Sequence, residues 1–249
     1  MAQIPASLPS IALPADLLRD ALRAVEPASS TDSTRPHLCG VRLAVYADGA
    51  LEVAATDGHR LHVAHVAVRG GLAAGVATLT EITLTPAGAW AATKVAADAA
   101  KGAADAAKAA EAAHRKATKA HKGTSATAPV LRLPMPVVAL ASDGTLTVGG
   151  RLRGVAEVAR DADLPAREIL AKVAKLANCT PEPLVGVSPA YMVDALEAAR
   201  LITGPIGGVH LSVRGEYDAI RVSSGVRERT YTDGEASVEL VATVMPMRL

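Results

Sequence analysis

The sequence predicts an α+β fold made of repeated units, each a helix followed by antiparallel strands, with three such units in the chain. Three observations predict it. Alternating apolar runs are broken by Asp48-Gly49 and Asp143-Gly144, which reads as half-buried strands joined by turns. Pro14, Thr85-Pro86 and Ser188-Pro189 each precede an apolar-periodic stretch, as expected where Pro sits in a first helical turn and a hydroxyl caps it. The 249 residues are half apolar but include no Phe, one Trp and four Tyr. A core of Val, Leu, Ile and Ala suits sheets rich in β-branched residues with helices packed closely on them.

Residues 1–10 read as a short lead. Pro14 to Val25 is expected to be a helix, with Leu17, Leu18, Ala21, Leu22 and Val25 on one face and Arg19 and Arg23 four apart on the other. Glu26-Pro27 ends it. Val41, Leu43 and Val45, then Leu51 and Val53, alternate as the arms of a hairpin, and another strand runs from Leu61 to Val68. Between the last two strands lies the polar corner Thr56-Asp57-Gly58-His59-Arg60. Gly58 supplies backbone freedom there.

The second unit opens with a strand at Glu81–Leu84. From Pro86 to about Lys122 the chain is dominated by Ala, the best helix former. Lys94, Lys101, Lys108, Arg115 and Lys122 recur every seventh residue, and so do Asp98 and Asp105. That step drifts by only about 20° per repeat on a straight helix, so the cations form one slowly turning stripe. A single helix would reach roughly 55 Å. Gly102 leaves a helical hairpin as the alternative, and the stripe reads either as a solvated face or as a surface tracking phosphates. Strands are expected at Leu131 and Leu133, Val137–Leu140, Leu146 to Val148 and Val155–Val158, followed by a connector over Asp161–Leu176. The third unit is a strand at Leu184–Val187, a helix from Ser188-Pro189 to Leu201, and strands at Val209–Val213, Ala219–Ser223 and Val238–Val244.

Charge and composition exclude several classes. The formal net charge is +1, so any nucleic-acid contact must come from a local basic patch. Cys39 and Cys179 form no C-x-x-C pair, which gives metal and redox chemistry no support. No phosphate-cradling G-x-x-x-x-G-K-[ST] run and no nucleophile elbow occurs, so no catalytic residue, metal or cofactor is expected. A cytoplasmic protein is the default, because the N-terminus has no basic stretch followed by a long apolar core and no apolar run nears a membrane span.

Four stretches together resemble the bacterial DNA polymerase III β sliding clamp family. They are Ala55-Thr56-Asp57-Gly58-His59-Arg60-Leu61, Arg35-Pro36-His37-Leu38-Cys39-Gly40 before it, Ser188-Pro189-Ala190-Tyr191-Met192-Val193-Asp194-Ala195-Leu196, and the tail Val244-Met245-Pro246-Met247-Arg248-Leu249. They fall in the family's order. The resemblance implies the DNA-clamp fold. Residues 1–170 would match the family's middle domain, with a long helix at about 86–122, and residues 171–249 the end of its last domain. The chain has three halves where family clamps have six. Ring closure would then need a homo-oligomer, and a tetramer would supply the family's number of halves.

The function implied is that of a processivity factor, not an enzyme. It would encircle duplex DNA without reading sequence and would tether a replicative polymerase, the clamp loader and repair proteins by their short linear motifs. The peptide groove would use Leu38, Thr56, Gly58, His59, Arg60, Leu61, Pro165, Leu170, Ser188, Tyr191, Met245, Pro246, Met247 and Arg248. Leucines, Pro246 and the methionines would offer apolar, adaptable surface, and His59 and Arg60 would bond the peptide backbone. Arg19, Arg23, Lys94, Lys101 and Arg200, all on the unit helices, would face DNA phosphates. The alternative is a clamp-like adaptor or decoy that binds the same peptides without encircling DNA.

Overall fold

The computed structural model describes residues 10–45, 50–69, 80–120, 136–159, 186–204, 207–213, 219–231 and 234–246. Three helices and two antiparallel sheets make up these segments. Strand β1 (Ser10–Pro14) leads directly into helix α1 (Ala15–Val25), and β2 (Val41–Val45), β3 (Ala50–Thr56) and β4 (Arg60–Arg69) follow. The second unit is β5 (Thr80–Leu84), α2 (Pro86–Ala120), β6 (Val137–Ala141), β7 (Thr145–Val148) and β8 (Arg151–Val155). The third is α3 (Pro189–Thr203), β9 (Val209–Ser212), β10 (Ile220–Ser224), β11 (Arg227–Tyr231) and β12 (Gly234–Val244).

The first two units exchange strands. β1 leaves its own unit and pairs with β6, giving the order β1-β6-β7-β8. β5 does the converse and pairs with β2 at the edge of the larger sheet, whose order is β5-β2-β3-β4-β12-β10-β9, with β11 also on β12. Each unit thus places the strand before its helix in the other unit's sheet. β12 joins the third unit to the first along its whole length, from Glu235 opposite Arg69 to Val244 opposite Arg60.

α1 is the hub. Leu17, Leu18, Ala21, Leu22 and Val25 are buried in one cluster that also holds Val53, Ala64 and Val66 from β3 and β4, Ala89, Ala92 and Ala96 from α2, Ala199 and Ile202 from α3, and Leu240 and Ala242 from β12. Alanine at the helix contacts lets three helices approach closely without any Phe to fill the gaps. On the opposite face of the large sheet, Ala54, Leu61 and Val63 form a small second cluster against Leu38.

Several sequence expectations are corrected. Residues 10–14 are a strand, and Pro14 closes that strand as well as standing at the α1 N-cap. The last strand of the second unit lies at Arg151–Val155 rather than Val155–Val158, and Val158 makes only an isolated bridge to Leu84. β11 was not expected. Gly186 and Val187, where a strand was expected, are irregular. Ser188 occupies the α3 N-cap but its hydroxyl makes no capping bond, whereas Thr85 caps α2 through the Gly88 amide at 3.1 Å. α2 is one helix of 35 residues, not a hairpin. Leu131, Leu133 and the connector 161–176 lie outside the described residues. No helix among the described residues is long and apolar enough to cross a membrane.

Candidate functional site

The corner between β3 and β4 is set by its own side chains. The buried Thr56 hydroxyl donates to the Arg60 carbonyl at 2.6 Å and accepts from the Gly58 amide at 3.1 Å. Gly58 turns the chain with φ of +92°, a region that L side chains rarely adopt. Asp57 Oδ1 accepts the backbone amides of His59 (2.9 Å) and Arg60 (3.0 Å). This is an Asx-type turn, in which the carboxylate replaces missing sheet partners. His59 is thereby held exposed, while Arg60 is half-buried.

Arg60 ties the corner to α3. Its Nε donates to Asp57 Oδ2 at 3.0 Å, its Nη1 donates to Asp194 Oδ2, and its guanidinium lies 4.7 Å from the centre of the Tyr191 ring. Tyr191 and Asp194 stand three apart on α3 and so share a face. The His59 ring stacks near Tyr191 with centroids 6.3 Å apart and planes 18° from parallel. Asp194 was not among the residues the sequence singled out. Its spacing from Tyr191 was visible, but nothing in the chain pointed it at Arg60.

The tail arrives at the same place. β12 runs antiparallel to β4 with Val244 opposite Arg60, and the next amide, Met245, donates to the His59 carbonyl at 2.9 Å. Met245 is exposed and Pro246 is half-buried. Leu38, at the end of a short 3-10 turn (Pro36–Leu38), packs on Leu61 from the other face. Leu38, Thr56, Gly58, His59, Arg60, Leu61, Tyr191, Met245 and Pro246 are therefore gathered around one seam between the first and third units, with Ser188 at the start of α3. Pro165, Leu170, Met247 and Arg248 lie outside the described residues.

The seam carries a titratable group of its own. His62 is fully buried on β4 and its Nδ1 is 2.9 Å from the Ala24 carbonyl at the end of α1. Burial holds its pKa below the ordinary value, and the Ala24 bond only partly offsets this. Of the candidate DNA-facing cations, Arg23, Lys94, Lys101 and Arg200 are exposed. Arg19 is instead paired with its neighbour Asp20 at 2.6 Å. Asp20 is buried, and desolvation raises its pKa despite that pair. Among the described residues no group of three His, Cys, Asp or Glu could hold a metal ion.

Residues 12–77 match the family described as DNA polymerase III beta subunit, central domain. The chain has the sliding-clamp fold. All of it aligns with the DNA polymerase III subunit beta from Pseudomonas aeruginosa, at a TM-score of 0.57 and 14% identity, and covers 68% of that chain. The sliding clamp from Bacillus subtilis aligns over 100% of this chain and 66% of its own, at a TM-score of 0.52 and 17% identity. A Pseudomonas aeruginosa clamp bound to griselimycin aligns over 100% and 68%, at a TM-score of 0.55 and 14% identity. No curated protein sequence matches the chain. The clamp central-domain match runs from within β1 through β4, the part that contains the Thr56–Arg60 corner.

Proposed function

We propose that this protein is a non-catalytic, cytoplasmic sliding clamp: a homo-oligomeric ring around duplex DNA that holds polymerase and other partners through a peptide groove at the seam. The observation that carries this reading is the Met245 amide bonded to the His59 carbonyl. It puts the corner motif and the tail motif, which are distant in sequence, on the two sides of one seam, with Tyr191 of α3 beside them. The griselimycin complex of the Pseudomonas aeruginosa clamp supports the idea that this fold accepts a bound ligand.

An extended peptide would rest its apolar anchor on Leu38, Leu61 and Pro246, with Met245 and Met247 adapting to different anchors. Pro165, Leu170, Ser188 and Arg248 complete the proposed wall. Burying one or two anchors is worth about 2–3 kcal/mol each before ordering costs, which sets a micromolar scale. Arg23, Lys94, Lys101 and Arg200 would give the weak phosphate contact that permits sliding.

Two measurements test the reading. Fluorescence anisotropy with a short Leu/Phe-bearing peptide should give micromolar binding that is lost on deleting residues 245–249; equal binding by the deletion variant would refute the groove. Protein loaded on nicked circular DNA should be released when the circle is cut. Peptide binding without retention on the circle would replace the ring with the adaptor reading.

A further inference from the structure

The first two units cover each other's sheet edges. In each, the first strand after the helix would end its sheet, and the segment just before the other unit's helix lies on it: β5 on β2, and β1 on β6. In neither case does a unit's own segment cover its own edge. The register is nearly the same in both. Leu84, one residue before the α2 cap Thr85, stands opposite Val41. Leu13, one residue before the α1 N-cap Pro14, stands opposite Val138. The exchange is reciprocal, which is the relation that a two-fold axis would impose on two identical units.

The third unit has the edge and no strand to cover it. β9, the first strand after α3, ends the large sheet, and among the described strands it pairs only with β10. Leu211 stands opposite the buried Val222, so it faces the helix layer, yet it is 57% exposed. Its counterparts on the covered edges, Leu43 opposite Ile82 and Leu140 opposite Ile11, are buried. Val213, just past β9, is exposed as well. The helix repeats the difference. Leu196 lies eight residues past the α3 N-cap Ser188, as Leu22 lies eight past Pro14; Leu22 is buried and Leu196 is exposed. The segment leading into α3 is equally unpaired, because Gly186 and Val187 join no described strand.

We propose that the β9 edge docks a second copy of this chain by reciprocal exchange: the segment ending at Val187 of one protomer lies on β9 of its partner, and the partner's segment lies on β9 of the first. Two third units would then repeat between chains what the first two units do within one, continuing the large sheet across the joint and covering Leu211, Val213 and Leu196 on both sides. A strand from an unrelated protein would satisfy one edge. A second copy pairs two edges at once and buries the same apolar patch twice. The edge of β8 is a poorer candidate. It carries Arg151 and Arg153, charges of the kind that keep an edge strand unpaired, whereas Val209-His210-Leu211-Ser212 holds no Lys, Arg, Asp or Glu. The inference rests on the self-association in the proposed function and names its joint. Alone it gives a dimer, and a closed ring needs a second joint elsewhere.

Cross-linking of the full chain tests the joint, in a Cys39→Ser/Cys179→Ser background. Val187→Cys with Val209→Cys follows the register of Leu84 on Val41, and Val187→Cys with His210→Cys follows that of Leu13 on Val138. Facing residues of antiparallel strands lie within disulfide reach. One of the two pairs should oxidise to a disulfide-linked dimer on a non-reducing gel. Sedimentation over a concentration series should show the parent chain as a dimer or larger. Leu211→Lys should abolish the cross-link and at least halve the sedimenting mass, while Leu152→Lys, an equally exposed change on β8, should leave the cross-link yield unchanged. Circular dichroism checks that each variant folds. A chain that stays monomeric at every concentration overturns the proposal, as does a disulfide formed within one chain by both pairs. An oligomer that neither pair cross-links, or that Leu211→Lys leaves intact, overturns this joint and spares the ring. A cross-linked dimer that circular DNA does not retain upholds the joint and removes the ring.

Discussion

Replacing Arg60 by Met tests whether the corner and α3 are held together by that one side chain. The magnitude follows from exposure. Arg60 and Asp57 are only 12% and 14% exposed, so their bond belongs with charge-assisted hydrogen bonds worth about 1.5–3 kcal/mol. Asp194 is 40% exposed and screened by water, which limits its share to about 1 kcal/mol or less. The guanidinium over Tyr191 adds about 0.5–1 kcal/mol. These terms overlap. Asp57 also keeps its two backbone amide donors when the side chain is cut, so no carboxylate is left bare. The expected cost of Arg60→Met is therefore about 2–3 kcal/mol by urea unfolding. For a chain of this size that is a fall in Tm of about 5–10 °C. The decisive measurement is a pair of double-mutant cycles, Arg60→Met with Asp194→Asn and Arg60→Met with Tyr191→Ala. Each should return a coupling of about 0.5–1 kcal/mol. Additivity within about 0.3 kcal/mol in both cycles would show that α3 docks without this contact.

Stability should fall on acidification through His62. Its folded pKa lies below the ordinary 6.5, so the neutral form is favoured by folding. The stabilisation is complete above pH 6.5 and is lost as pH falls from there towards the depressed folded value, because the unfolded chain binds the proton first. The urea midpoint should drop between pH 7 and pH 5. His62→Gln, which can still bond the Ala24 carbonyl, should flatten that drop; an unaltered slope would exclude His62 as the cause. Gly88→Ala should cost about 1–3 kcal/mol, since a Cβ there overlaps the Glu157 carbonyl that accepts the Thr85 amide. A Tm equal to the parent's would mean that residue 157 moves freely. Thr56→Val removes both a donor and an acceptor inside a buried corner and should cost about 1–3 kcal/mol in the same assay.

What could be read from the sequence was local. The corner between β3 and β4, the α1 face and the Thr85-Pro86 start of α2 all follow from residues within a few positions of each other. What was missed depends on distant partners. β1 exists because Ile11, Ala12 and Leu13 find Leu140, Ala139 and Val138, and no pattern in residues 10–14 announces that pairing. β8 is an exposed edge strand whose Arg151, Leu152 and Arg153 carry no burial signal, whereas Val155 and Val158 drew the expected strand too far along, and Val155 is itself exposed. β11, Arg-Glu-Arg-Thr-Tyr, is polar throughout; among the described strands it pairs with β12, and Arg227 Nη1 donates to the Ile202 carbonyl at 3.1 Å. Asp194 meets Arg60 across 134 positions, and a lone aspartate on a helix does not name its partner. Even so, the corner and tail motifs were seen to belong together, because the ending Met245-Pro246-Met247-Arg248-Leu249 is specific and the motifs fall in one family's order, although the corner alone reads equally well as an ordinary turn.

The seam is first a requirement of folding. β12 pairs with β4 over ten residues on one side and with β10 and β11 on the other, so the third unit cannot leave the first without breaking the longest strand pair among the described residues. The same strands bury Val66, Leu240 and Ala242 against α1, which fixes their register. The corner, Tyr191 and the Met245 amide sit at the end of this pairing and inherit its rigidity. If a peptide docks there as proposed, it meets a wall whose described part the fold has already assembled, and its affinity would not be reduced by the cost of ordering that part. It also meets an Arg60 already engaged by Asp57 and Asp194. To take a bond from that guanidinium, a peptide must displace the more exposed partner, Asp194, and a peptide carboxylate does this better than an amide because it restores the charge pairing. Asp194→Asn should therefore strengthen binding of an acidic peptide more than that of its amide counterpart. Equal effects on both would place the peptide away from Arg60.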